Sequence, residues 1–163
     1  MRDKAGRDSR LTLLLVLSIA WTAVIWGHSL MSGPVSGAES SFVVSLARPL
    51  FEALGVRDVN LMGHVVRKLA HFSEYALLGL LTGLLRARLN RAAAPRAAIV
   101  ASVLWPVLAP VVDECIQRFV PGRSGQPTDV LIDLAGVLLG TLVALAVARA
   151  SARRSPARRS PAR

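Results

Sequence analysis

The chain has 163 residues, 53% of them apolar, with a formal net charge of +10 and a mean hydropathy of +0.48. The length suits one domain, and the apolar residues lie in long blocks, which excludes an ordinary soluble domain and points to a polytopic membrane protein. The basic residues flank those blocks instead of forming a basic face with aromatics, which argues against nucleic-acid binding. Cys115 is the single cysteine, so neither a disulfide framework nor a thiolate metal site can form within one chain, and it reads as a small apolar filler.

Residues 1–10 form a basic N-terminus with Arg2, Lys4, Arg7 and Arg10. The first apolar block runs from Leu11 to about Trp26 and extends toward Met31. Its basic start and apolar core resemble a signal peptide, with Ser32-Gly33 where cleavage would fall. Trp21, Trp26 and His28 are poor company for a small-residue cleavage site, so an uncleaved first span is expected. Residues 39–55, ESSFVVSLARPLFEALG, carry Phe42, Val43, Leu46, Leu50, Phe51 and Leu54 at near-helical spacing, bent by Pro49. Ser40 or Ser41 is placed to cap that helix. The run is short and interrupted, which suits an interfacial or re-entrant helix better than a span; a soluble cap over the bundle is the rival reading.

The remaining blocks run from about Leu69 to Leu85, from about Ala97 to Val112, and from Val130 to Ala148. Each is near the roughly 20 residues that a span needs. The expected fold is therefore all-α: a four-transmembrane-helix bundle over residues 11–148. Residues 149–163 end in SARRSPARRSPAR, a basic repeat with no apolar face. That tail reads as disordered, holding topology and touching anionic lipid.

Arginine and lysine counts set the orientation. Both termini and the short loop with Arg86, Arg88, Arg91 and Arg96 are dense in positive charge, whereas the first and third loops are dilute or balanced by acids. Both termini are expected in the cytoplasm of a bacterial-type plasma membrane, with the first and third loops outside.

Charged and polar residues then gather at one depth. On the second span Lys68, His71 and Tyr75 share a helix face, His64 extends the stripe outward, and Glu74 lies three after His71. The third span closes with Asp113, Glu114 and Gln117; Asp113 and Gln117 share a face, while Glu114 is turned about 100° away. The fourth span opens with Asp129 and Asp133, whose stripe continues through Gly136 and Gly140. Gly79/Gly83 and Gly136/Gly140 are GxxxG pairs that let helices approach closely. Carboxylates at this depth cost roughly 2.5–3.5 kcal/mol each on insertion scales, so intramembrane ionisable groups call for a functional explanation.

Simpler explanations exist for each residue alone. Lys68 with a carboxylate can be bundle glue, Asp129 a helix N-cap, Pro121-Gly122 a turn, Arg118 and Arg123 loop solvation, and Tyr75 and Trp105 interface or packing aromatics. The sum exceeds these roles. Lys68 and Arg123 suit a phosphate or carboxylate, while His71, Asp113, Glu114 and Asp133 suit a divalent cation or acid–base work.

The segments KLAHFSEYALLGLL (68–81) and DECIQRFVPGRSGQPTDVLIDLAGVLLG (113–140) resemble the VanZ-like membrane proteins. The shared pattern is Lys-x-x-His-x-x-x-Tyr, an acidic pair, Gln, Pro-Gly-Arg, Asp-x-x-x-Asp and Gly-x-x-x-Gly. Lys68, His71, Tyr75, Asp113, Glu114, Gln117, Pro121, Gly122, Arg123, Asp129, Asp133, Gly136 and Gly140 match it, and SLMSG (29–33) resembles the family's Ser-rich segment. The likeness covers about residues 10–148. It implies the fold, the membrane setting, a site at the motif residues, and a weak link to glycopeptide (teicoplanin) resistance.

Three functions follow as expectations. In the first, an outer-leaflet pocket holds an anionic lipid or cell-envelope intermediate such as a polyprenyl phosphate. Lys68, Tyr75, Gln117, Arg123, Asp129 and Asp133 would bind it, and His71, Asp113 and Glu114 would supply any chemistry. A cation would sit on Asp113, Glu114 and Asp133. In the second, the charges form a closed salt-bridge network in a structural or adaptor protein. The third, an ion-coupled transporter, is disfavoured by four spans and no internal repeat.

Overall fold

The computed structural model describes residues 2–154, in five α-helices: α1 (Arg2–Ser29), α2 (Gly33–Ala53), α3 (Val59–Arg91), α4 (Arg96–Gln117) and α5 (Pro127–Arg154). Among the described residues three segments are long and apolar enough to cross a membrane: Ser9–Ser29, Arg96–Gln117 and Pro127–Arg153. They contain the first, third and fourth apolar blocks. The all-helical expectation holds among the described residues, and the second block lies inside a helix of a different kind.

That helix, α3, has 33 residues and so spans ~50 Å. It begins well before Leu69 because Asp58 caps it, accepting from the backbone N–H of Asn60 at 2.8 Å and of Leu61 at 3.4 Å. Arg67, Lys68, His71 and Glu74 interrupt its N-terminal half, while its apolar half runs on to Arg91. At the far end Arg91 donates through Nη2 to the Ala148 carbonyl at 2.8 Å, tying α3 to α5. The turn to α4 passes through Ala93 at φ 50°, in the left-handed region.

The helix of the first loop differs from expectation at its start. It begins at Gly33, with Ser32 in the N-cap position and Pro in the first turn. Ser40 and Ser41 are interior residues that donate to the carbonyls of Ser36 and Gly37. Pro49 does not end the helix, since it removes only one ladder bond. Ser40 and Val44 are buried, whereas Phe42, Leu46, Leu50 and Leu54, one turn apart, are each about two-thirds exposed. At the other end of the chain, α5 continues to Arg154, so residues 149–154 of the basic tail are helical; residues 155–163 lie outside the described part. Cys115 lies on the exposed face of α4, not in a packed interior.

The glycines explain the tightest contact, between α3 and α5. A Cβ on Gly79 would run into the Val137 backbone, and one on Gly83 would meet the Ala144 Cβ at 2.7 Å. Reciprocally, a Cβ on Gly136 would strike the Phe72 carbonyl and one on Gly140 the Ala76 carbonyl. The two GxxxG pairs therefore face each other's helix, and the backbones touch. Tryptophans bind α1 onto this pair. Trp21 Nε1 donates to the Glu74 carbonyl at 2.9 Å, Trp105 Nε1 to Thr22 Oγ1 at 3.0 Å, and the Trp26 and Trp105 rings pack at 6.0 Å. Trp105 thus joins α4 to α1, consistent with a packing role. Ile25, Tyr75, Leu78, Ala109 and Val137 form the buried apolar core.

Candidate ligand pocket

One turn beyond the glycine seam, a polar cavity lies between α3 and α5. Its volume is about 170 Å³, and its wall includes His64, Arg67, Lys68 and His71 of α3, Asp129 and Asp133 of α5, and Arg123. The rim is the turn after α4. Gly122 adopts φ +75°, which glycine alone takes up at little cost. The Gly33 N–H donates to the Pro121 carbonyl at 3.0 Å, and no Cβ fits between Gly33 and the Gly122 backbone. Glu114 fixes the other limb of the turn, accepting from the Gln126 N–H at 2.7 Å. This holds Arg123, partly buried, over the cavity mouth.

Below the mouth the polar groups form two layers. The upper layer is an ion pair between Lys68 Nζ and Asp129 Oδ1. Asp129 lies in the first turn of α5, favourable for a carboxylate, but it pairs with Lys68 across the helices and is not an N-cap. The lower layer is His71, Asp113 and Asp133, one ligand atom of each lying within 4.8 Å of the others. Both aspartates are fully buried. His71 Nδ1 is 3.8 Å from Asp113 Oδ2. Gln117 Nε2 reaches the same Oδ2 and Ser29 Oγ, each at 3.2 Å, which orients the Asp113 carboxylate.

The lower layer is poorly satisfied. Among the described residues, His71 Nδ1, Tyr75 Oη, Asp113 Oδ1 and both oxygens of Asp133 are buried without a hydrogen-bond partner. Tyr75 approaches Asp113 but makes no well-formed bond to it. Each unsatisfied buried group costs about 1–3 kcal/mol, and charged ones more. Cohesion alone would not favour such an arrangement.

Of the residues singled out in the sequence, Lys68, His71, Tyr75, Asp113, Gln117, Arg123, Asp129 and Asp133 converge on this end of the bundle. Glu114 lies at the same end but is not among the cavity-lining residues: its Oε2 accepts from the Gln126 N–H in the turn, in keeping with its angular offset from Asp113. Glu74, three residues after His71, instead turns to α1 and meets His28 Nδ1 at 2.8 Å. Arg67 and Ser36 line the cavity although neither stood out in the sequence. Arg67 reads as a loop charge when the span is taken to begin at Leu69; the Asp58 cap, which extends α3 outward, is the signal that places it.

The fold and site define a helical bundle with membrane-type helices and a charged pocket lined by four of its helices. The VanZ/LLP1 family profile matches residues 14–148. The chain belongs to that family. No curated protein and no solved structure matches it.

Proposed function

We propose that the protein is a four-span plasma-membrane protein that captures the phosphate of an anionic envelope lipid, such as a polyprenyl phosphate, at the outer leaflet. The observation that carries this reading is the cavity wall, to which His64, Arg67, Lys68 and Arg123 all contribute. Among the described residues Arg123 has no carboxylate within 4.0 Å, so its planar donors are free for a phosphate. In this reading α3 is the fourth span, its charged outer half solvated by the pocket, and the termini are cytoplasmic. The exposed Phe42, Leu46, Leu50 and Leu54 stripe of α2 lies in the headgroup–acyl boundary beside the mouth. Any link to glycopeptide resistance would then run through the lipid intermediate that is bound.

The test is binding of a polyprenyl phosphate to purified protein. Arg123→Ala and Lys68→Ala are each expected to weaken it at least ~10-fold, the scale of one charge-assisted contact, with phosphatidylcholine unbound. Unchanged binding in both variants overturns the reading. The Lys68–Asp129 and His28–Glu74 pairs favour the second reading, a charge-locked scaffold. The five unsatisfied atoms of the lower layer weigh against it.

A further inference from the structure

We infer that His71, Asp113 and Asp133 form a binding site for one first-row divalent cation, zinc or manganese in type. The argument begins with charge. Asp113 and Asp133 are two fully buried carboxylates on facing helices. The nearest lysine is committed to Asp129, and among the described residues no lysine or arginine lies within 4.0 Å of either aspartate. A single divalent cation balances two carboxylates, and burial of such groups is sustained by pairing or by metal coordination.

Geometry agrees. The three ligand atoms lie within 4.8 Å of one another. A cation at ~2.0–2.2 Å from each would draw them to roughly 3.0–3.4 Å apart. Among the described residues, three of the four Asp113 and Asp133 oxygens and the His71 Nδ1 have no hydrogen-bond partner, so their lone pairs remain available. An independent group points the same way. The Tyr75 hydroxyl, fully buried and without a partner, sits beside Asp113. It is placed to donate to a coordinating carboxylate or to a bound water. Gln117, anchored on Ser29, already fixes Asp113 Oδ2, the kind of outer support that ligating carboxylates receive.

The donor set narrows the ion. One imidazole with two carboxylates suits Zn²⁺ or Mn²⁺, whereas Mg²⁺ prefers oxygen and water. Three protein ligands leave further coordination positions, and His71 and Asp133 line the cavity into which those positions open. The set also replaces the cation trio expected from sequence, with His71 standing where Glu114 was expected.

The test uses the full chain in detergent, stripped with EDTA, dialysed against Zn²⁺ or Mn²⁺ alone, and analysed for metal. No phosphate or lipid ligand is added, so failure here leaves the phosphate reading standing, and failure there leaves this one. The wild-type chain should retain about one ion and melt at a higher temperature when loaded. Asp133→Asn and His71→Ala should bind at least ~10-fold more weakly, and Glu52→Gln, in a surface pair with Arg48, should bind normally. Substoichiometric metal in the wild type, or normal binding by Asp133→Asn, overturns the inference. Should the variants fail to fold, Co²⁺ loading of the wild type decides: visible bands of a nitrogen–oxygen site support it, and their absence overturns it.

Discussion

The same two helices meet twice, in opposite ways. Along the seam of Gly79, Gly83, Gly136 and Gly140, α3 and α5 are in backbone contact with no room for a methyl group. One turn on, from Lys68 and His71 to Asp129 and Asp133, they flank a cavity, and several buried polar atoms beside it have no hydrogen-bond partner among the described residues. The seam gains dispersion from every atom and asks nothing of water or ions. The pocket gives up that gain and also bears the cost of buried charge. A fold that can close these helices so tightly, yet holds them apart at one level with an acid from each of two helices, has reserved that level for something other than cohesion.

The largest effect should come from breaking the seam. Gly140→Leu or Gly79→Leu drives a side chain into the facing backbone, and a loss of at least ~3 kcal/mol or failure to accumulate folded protein is expected. Quantitative melting in a fixed detergent checks it; tolerance of both substitutions would mean that the helices are not in contact there. Next comes the lower layer of the pocket. Asp113→Asn keeps the shape and removes a charge, so metal retention should fall at least ~10-fold while the melting temperature of the EDTA-treated protein stays near wild type. Lys68→Ala belongs to the upper layer. It should weaken polyprenyl-phosphate binding ~10-fold but lower stability by only about 1 kcal/mol, because the pair, 27% and 28% exposed, still reaches solvent. The smallest effect lies outside both regions: Ala93→Gly relieves a left-handed residue in the α3–α4 turn and should raise stability by up to about 1 kcal/mol.

Much of this contrast was readable in the sequence. The i, i+4 spacings put Asp113 with Gln117 and Asp129 with Asp133, and the charge asymmetry of the loops put all of them at one depth with His71. The paired GxxxG motifs announced a close approach, though not that each pair would face the other helix. Three things were hidden. The length of α3 was hidden because hydropathy marks only the apolar part of a helix, and the Asp58 cap that extends it lies ten residues upstream of Lys68. The start of α2 was hidden because its first turns are small and polar, and Gly33 is fixed by the tertiary contact with Gly122, not by propensity. The roles of Glu74 and Glu114 were hidden because spacing states which neighbours are within reach, not which partner wins. Glu74 had both His71 and His28 available and took His28. Glu114 was adjacent in sequence to a ligand but faced the turn.

The central claim is that the charged end of the bundle binds and the glycine seam holds. The most direct measurement is the thermal melt of Asp133→Asn against wild type, both in EDTA. Asp133 offers two buried oxygens and receives no hydrogen bond from the described residues. The account predicts a variant as stable as the wild type or more so. A loss of about 3 kcal/mol or more, the cost of breaking a buried network that the protein relies on for cohesion, would contradict it.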